Sequence, residues 1–156
     1  MSLNKIIIGF IIILLLFSGF VLYQLNKTSV PPSKVIIDNH TFSVETATTS
    51  AQQQLGLSGR KSLPQDQGML FIFPTAQRYP FWMKAMEFPL DMLYMNNNKI
   101  VTIFQNVPVP QQDKTNLPVY VPNAPANQVL EINAGLAQKY NFKEGDSVSV
   151  KLVNKP

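Results

Sequence analysis

The sequence predicts a mainly β (α+β) fold, a small barrel or sandwich of about seven strands with two short helices, preceded by one N-terminal transmembrane helix. Three observations support this prediction. An uncharged apolar run stands near the N-terminus, the rest of the chain reads as short alternating apolar segments, and turn-forming residues separate those segments.

Residues 6–23 form the predicted transmembrane helix. These 18 positions, IIIGFIIILLLFSGFVLY, carry no charge. At about 1.5 Å per residue such a helix spans roughly 27 Å, close to the thickness of a bilayer core. A cleaved signal peptide has a shorter apolar core and a cleavage site of small residues, and the following QLNKTSVPPSK offers no such site. We therefore expect an uncleaved signal-anchor in the cytoplasmic membrane, crossing once and leaving the C-terminal domain outside the cytoplasm.

The chain is divided into a short flank (1–5), the anchor (6–23), a tether (24–34) that is stiffened by two prolines, and one globular domain (35–156). The net charge is +4, but from residue 35 onward ten Lys and Arg face nine Asp and Glu. A domain so close to neutral offers no basic face to nucleic acid, so no nucleic-acid partner is predicted. There is no cysteine, which excludes disulfides, thiolate metal sites and a lipid-modified cysteine.

The first two strands of the domain are predicted as a hairpin. The runs at 34–38 and 41–47 alternate between apolar and polar residues, and Asn39-His40 stands between them as a two-residue turn. A short helix follows, with Ser50 as its N-cap and a glycine at 56 or 59 as its end.

Prolines and asparagines divide the second half of the domain. Pro74 closes an apolar strand at 68–73, and Asn96–Asn98 joins two alternating strands at 90–95 and 99–104. After a long proline-rich loop at 105–127, the remaining elements are a strand at 129–135, a helix of one to two turns at 136–142 and a strand at 146–153.

Five collinear blocks resemble an uncharacterised prokaryotic family, the domain of unknown function 192. They are GLSGR (56–60), LPQDQGMLFIF (63–73), FWMKAMEFPLD (81–91), VLEINAG (129–135) and the Gly145-Asp146 turn. The resemblance implies a small extracytoplasmic or membrane-associated domain and supplies no mechanism. The chain also departs from the family, because Ala85-Met86 stands where relatives usually carry Asn-Thr.

Five residues are the candidate ligand-binding residues. Arg60, Lys84, Asp91 and Glu131 are charges placed inside apolar or tightly patterned segments, and Trp82 is the one tryptophan of the chain. Together they could form an anion-binding or acid–base site with a stacking platform. The charges could equally form a structural ion-pair network, because lone buried charges are costly.

Three functions remain open on the sequence alone, and whether the protein is an enzyme is undecided. The first is a small-ligand-binding or accessory module whose cleft the five residues line. The second is a hydrolase or lyase that uses Asp91 and Glu131 as its carboxylate pair. The third is a protein-interaction domain acting through the proline-rich loop 105–127. No metal and no cofactor are predicted, and the expected partners are the membrane, through residues 6–23, and a small molecule or an envelope protein.

Overall fold

The structure, a computed structural model, describes residues 32–111 and 116–153 together with positions 14, 17 and 18. Pro32–Asn154 forms a compact unit separate from Met1–Pro31. In the described ranges the strands are β1 (Ser33–Ile37), β2 (His40–Ala47), β3 (Gln67–Gln77), β4 (Phe81–Trp82), β5 (Leu90–Asn96), β6 (Lys99–Val107), β7 (Val119–Tyr120), β8 (Ala126–Asn133) and β9 (Val148–Lys151). The two short helices are α1 (Ser50–Leu55) and α2 (Leu136–Lys139).

Seven of the strands form one sheet in the order β6-β5-β8-β3-β2-β1-β9, which curves into a half-barrel. Only the β2–β3 pair is parallel within this sheet, and its other pairs are antiparallel. The two remaining strands, β4 and β7, pair with each other as a small antiparallel sheet. The predicted mainly β domain of about seven strands and two short helices is therefore confirmed, and the small β4–β7 sheet is an addition that the sequence did not indicate.

Both faces of the main sheet are covered by apolar side chains. Because side chains alternate along a strand, Leu93 and Leu130 contribute to one hydrophobic cluster, while Met92 and Val129 contribute to the other. The first cluster includes residues of α2 and β9, and the second includes residues of β4 and of the loop that follows it. This division decides which sequence-predicted residues can share a site.

The two hairpin turns are found close to their expected positions. The first turn is Asp38-Asn39, one residue earlier than predicted, because His40 belongs to β2, where it pairs with Ile37 and stacks on the ring of Tyr140 at 3.7 Å. The second turn is made by two asparagines, residues 97 and 98, with φ values of +50° and +59°, as a tight hairpin requires.

The ends of two other elements differ from the prediction. Thr49, not Ser50, caps α1. Its hydroxyl accepts a hydrogen bond from the backbone N–H of Gln52, and the side-chain oxygen of Gln52 accepts one from the backbone N–H of Thr49. Strand β3 does not stop at Pro74 but continues to Gln77. The pairing with β8 shifts register between Ile72 and Gln77, so no ladder hydrogen bond is required of the proline nitrogen.

The proline-rich loop is shorter than the predicted 105–127. Strand β6 extends to Val107, β8 already begins at Ala126, and β7 lies between them, while residues 112–115 lie outside the described residues. The predicted anchor at 6–23 lies outside them too, apart from positions 14, 17 and 18. In the described part of the chain, no helix is long and apolar enough to cross a membrane.

Candidate functional site

A cavity of about 470 Å³ lies on the face of the sheet that carries Met92 and Val129. Its walls come from residues within 50–58, which include α1, from residues within 71–82, and from Met86 and Glu131. The volume falls in the range of about 300–1,000 Å³ that is usual for small-molecule sites.

Aromatic rings make up most of the wall contributed by residues 71–82. The lining rings are Phe71, Phe73, Tyr79, Phe81 and Trp82. Phe73 stacks on Tyr79 with ring centroids 3.8 Å apart, and Phe81 stands nearly perpendicular to Phe71 at 5.0 Å. Trp82 is 51% exposed at the rim, whereas the rings of Phe71 and Phe81 lie deeper. The rings hold one another in place through these contacts, so the wall is preformed.

Glu131 also lines this cavity. Strand β8 lies between β3 and β5, and Glu131 is paired with Met69 on one side and Met92 on the other, so its side chain is 6% exposed among apolar neighbours. Within the described residues its carboxyl makes no hydrogen bond or ion pair. Burial raises the pKa of this carboxyl from 4.5 to about 8, so that at neutral pH it is mostly protonated.

Tyr94 fixes the segment that carries the rings. Its side chain is completely buried, and its one hydroxyl proton is shared between two acceptors, the backbone carbonyls of Tyr79 (3.3 Å) and Tyr120 (3.2 Å). Burial, together with the nearby charge of Glu131, raises the pKa of Tyr94 above its usual range. Tyr94 therefore connects the main sheet to the small sheet. It contacts Tyr120 in β7 and Tyr79, which precedes β4 by two residues.

Two polar side chains of the opposite wall, Gln53 and Ser58, hold that wall together. The amide of Gln53 donates to the carbonyl of Ile72 (2.9 Å), which fastens α1 to β3. The hydroxyl of Ser58 donates to the carbonyl of Lys84 (2.8 Å), which fastens the turn after α1 to the loop that carries Met86. Among the described lining residues, Glu131 is the one that carries a carboxyl group. That group forms no hydrogen bond or ion pair with the described residues, so it is available to a ligand.

Two of the five sequence-predicted residues, Trp82 and Glu131, are brought together at this cavity. Arg60 and Lys84 are not among its lining residues. The guanidinium of Arg60 binds both carboxylate oxygens of Glu45, at 2.5 and 2.8 Å, and this partner raises the pKa of Arg60. The side chain of Lys84 is exposed to solvent.

Asp91 lies on the opposite face of the sheet from Glu131. Its register partner is Ile132, and its carboxylate accepts from the backbone N–H groups of Asn106 (2.7 Å), Gly135 (3.1 Å) and Ala137 (2.7 Å). The side chain is fully buried, and it holds the start of α2 against the sheet. The structure therefore does not bring Asp91 and Glu131 together, and a mechanism that uses them as an acid–base pair has no support in this geometry.

Several lining residues were not singled out from the sequence, notably Phe73, Tyr79, Phe81 and Met86. A signal for the first three was present, because the segment FIFPTAQRYPFW at 71–82 holds five of the chain's aromatic residues between and beside two prolines. Met86 belongs to the pair at which the chain departs from the resembled family, and this departure falls in the cavity wall. In the described residues, no group of three or more His, Cys, Asp or Glu side chains is placed to hold a metal ion.

Fold and site together define a half-barrel domain that carries one preformed aromatic pocket with a buried carboxyl group. The sequence profile of DUF192, a family described as uncharacterised (Uncharacterized ACR), matches residues 33–150, so the chain belongs to this family. The resemblance inferred from the five sequence blocks is thereby confirmed.

Two solved structures resemble the domain. One is a protein of unknown function from Novosphingobium aromaticivorans, with 32% sequence identity and a TM-score of 0.66 over 76% of this chain and 83% of that chain. The other, from Sinorhizobium meliloti, is described as a proposed transcription regulator, with 31% identity and a TM-score of 0.66 over 76% of this chain and 91% of that one. No curated protein matches the chain.

Proposed function

We propose that the domain is a small-ligand-binding or accessory module, held at the outer face of the cytoplasmic membrane by residues 6–23, and that the aromatic pocket is its binding site. The observation that carries this proposal is the carboxyl group of Glu131, which is buried in the wall of an open cavity without a hydrogen bond or ion pair among the described residues. Burying such a group costs free energy, and a ligand that bonds to it recovers part of that cost.

The surroundings of the carboxyl group support binding rather than catalysis. The second carboxylate, Asp91, serves the backbone on the other face of the sheet, and Arg60 is occupied by Glu45. A near-neutral domain also speaks against nucleic acid as the partner, so the description of the Sinorhizobium meliloti protein gives no reason to propose DNA binding here.

The proposal is tested by screening the full-length chain in a nonionic detergent against a library of small aromatic, aliphatic and saccharide fragments by ligand-observed NMR. Fragments that bind should lose at least about tenfold in affinity in W82A, because Trp82 forms the rim of the pocket. The matched control is V119A. Val119 is the exposed cross-strand partner of Trp82 and does not line the cavity, so its truncation should leave the affinity unchanged. A library without a single binder, or equal losses in both variants, would rule the pocket out as a binding site.

A further inference from the structure

We infer that the ligand of the aromatic pocket is an organic cation, an ammonium group carried on an apolar body, with the rings of residues 71–82 surrounding it and Glu131 as its counter-ion. This inference rests on the proposed function, because it names the class of ligand that the same pocket takes. It is carried by three features of the cavity: its aromatic rings, the carboxyl group of Glu131, and the positions of the neighbouring cations.

The rings provide the electrostatic surface that an organic cation prefers. The π-system of an aromatic ring is negative on its face, so a cation within about 6 Å of the ring centre is attracted to it. Among the lining rings, Phe81 is inclined by 83° to Phe71 and by 84° to Phe73, so its plane crosses theirs. An arrangement of several rings with crossed planes resembles the aromatic cages that bind quaternary and methylated ammonium groups.

The charged groups around the cavity point to the same class of ligand. Among the described lining residues, Glu131 is the one with an ionisable acidic or basic group other than a phenol, and no Lys, Arg or His lines the cavity. The two cations predicted from the sequence do not serve the cavity, because Arg60 binds Glu45 and Lys84 is exposed to solvent. An anionic ligand would therefore meet a carboxyl group and ring faces without any compensating cation, whereas an ammonium group meets complementary partners on both.

A neutral ligand is the remaining alternative, and pH separates it from a cation. With a pKa of about 8, Glu131 is mostly protonated at pH 6.5 and mostly ionised at pH 9. The titratable groups that face it are the phenols of Tyr94, from β5, and Tyr79, from the segment before β4, while α1 contributes only uncharged side chains to the wall. Glu45 stands two strands away in the same row of the sheet, beyond Met69, and is paired with Arg60.

An ammonium ligand should therefore bind better as the pH rises, because it selects the ionised carboxyl group. The ionised fraction of Glu131 increases by roughly 30-fold between pH 6.5 and 9. If only the ionised carboxyl group binds the ligand, the affinity increases by up to the same factor. A neutral ligand that accepts a hydrogen bond from the protonated carboxyl group should show the opposite trend. An alkylammonium group, like a lysine side chain with its ordinary pKa of about 10.4, remains mainly protonated at pH 9.

The experiment uses three probes with nearly the same skeleton, 4-phenylbutylamine, 4-phenylbutanol and 4-phenylbutyrate. Their binding to the full-length chain in a nonionic detergent is measured by titration calorimetry at pH 6.5 and 9, with protein-free micelles as blanks. At pH 9 we expect the amine to bind about tenfold or more tightly than the alcohol, because a charge-assisted hydrogen bond replaces a neutral one, and the carboxylate to bind more weakly than either. E131Q should reduce the affinity for the amine by about tenfold and remove its pH dependence, with little effect on the alcohol.

Each outcome bears on a different claim. An alcohol that binds as tightly as the amine at pH 9, or an amine whose affinity decreases from pH 6.5 to 9, overturns the cation inference and leaves the pocket as a site for neutral ligands. If the fragment screen and all three probes fail to bind, the proposed function itself fails. The comparison of the three probes on the unmodified chain stands by itself should E131Q not fold.

Discussion

At the scale of single residues, the domain contains two buried carboxyl groups that are treated in opposite ways. Asp91 is buried as a carboxylate that accepts three backbone hydrogen bonds, which makes it part of the structure that holds α2. Glu131 is buried without a hydrogen bond or ion pair to the described residues, and burial keeps it mostly protonated. Placing an ionisable carboxyl group in apolar surroundings, without a hydrogen bond or ion pair to the protein, makes the folded domain less stable, and groups of this kind are commonly found at functional sites.

The first prediction concerns the pH dependence of stability. The pKa of Glu131 is raised in the folded domain from 4.5 to about 8, so the folded chain binds the proton more tightly than the unfolded chain does. The contribution of Glu131 to the free energy of unfolding is fully present below pH 4.5 and is lost as the pH rises through 8. We expect the free energy of unfolding to decrease by about 2–4 kcal/mol between pH 5 and 8.5 for this reason. E131Q, which cannot ionise, should remove this part of the decrease and be more stable than the unmodified chain at pH 8.5. Urea unfolding at both pH values measures it.

The control for this prediction is E45Q, since Glu45 is the glutamate on the same row of the sheet whose side chain is 58% exposed and paired with Arg60. E45Q should retain the decrease in stability toward alkaline pH. If E131Q keeps the full decrease as well, Glu131 is not the group responsible, and its pKa is not raised.

A second prediction concerns Ala85, which has a left-handed backbone conformation with φ of +53°. This conformation is unfavourable for alanine and more readily adopted by asparagine. The family resemblance implies asparagine at this position, and the backbone conformation offers a structural reason for that residue. A85N should therefore increase the free energy of unfolding by about 0.5–1 kcal/mol in urea unfolding. N141A, at an exposed position with φ of +58°, should show a decrease of similar size, and a loss of stability in A85N would contradict the explanation.

At the scale of elements, the approach of β3 to β8 is what places Glu131 at the cavity. Gly68 makes this approach possible, because a Cβ atom at this position would stand 2.7 Å from the backbone carbonyl oxygen of Glu131 and 3.1 Å from the side chains of Leu130 and Ile132. Backbone atoms in the middle of a sheet cannot move away cheaply. The strand pair that carries the site therefore depends on the absence of a side chain at one position.

The third prediction follows from this contact. G68A should destabilise the domain by at least about 2 kcal/mol in urea unfolding, because the methyl group forces the two central strands apart. In molecules that still fold, it should also weaken ligand binding, since Glu131 is displaced. G59A is the matched control. Nothing lies within 4 Å of a Cβ atom added at Gly59. G59A should therefore lower the free energy of unfolding only through the unfavourable φ of +72°, by about 1 kcal/mol. Equal costs in both variants would show that the close approach is not the cause.

At the scale of the whole molecule, the chain combines a domain of the DUF192 family with an apolar N-terminal segment. The family match covers residues 33–150, and the two solved relatives share the fold at about one-third sequence identity. The pocket belongs entirely to this domain, so its chemistry does not depend on the segment before it. The role that we assign to residues 6–23 is to restrict the domain to one side of a membrane.

The fourth prediction tests that role. The full chain should sediment with membranes and remain there after washing at high salt and alkaline pH, as an integral helix does. A chain that lacks residues 1–31 should appear in the soluble fraction, with an unchanged far-ultraviolet circular dichroism spectrum and unchanged ligand affinity, because Pro32–Asn154 is a compact unit of its own. A full chain released by the washes would refute the anchor.

The class of fold, the family and the main hairpins follow from the amino-acid sequence alone, because they depend on local alternation, on turn residues and on collinear motifs. Asn97 and Asn98, for example, mark their turn through a backbone conformation that few residues adopt readily. It also identified Trp82 and Glu131 as unusual residues in their segments. All of these features depend on residues that are close to one another along the chain, so they can be recognised without the tertiary structure.

Which of the unusual residues share a site depends instead on tertiary contacts. Glu131 and Asp91 stand in adjacent register positions on paired strands, and the alternation of side chains sends one to the aromatic pocket and the other to the N–H groups at α2. Arg60 finds its partner, Glu45, on β2. The rings of residues 71–82 line the same cavity as Glu131, and Tyr94 holds the segment that carries them through the carbonyl of Tyr79. Such contacts depend on strand register and on the approach of distant segments, which no local pattern in the sequence specifies.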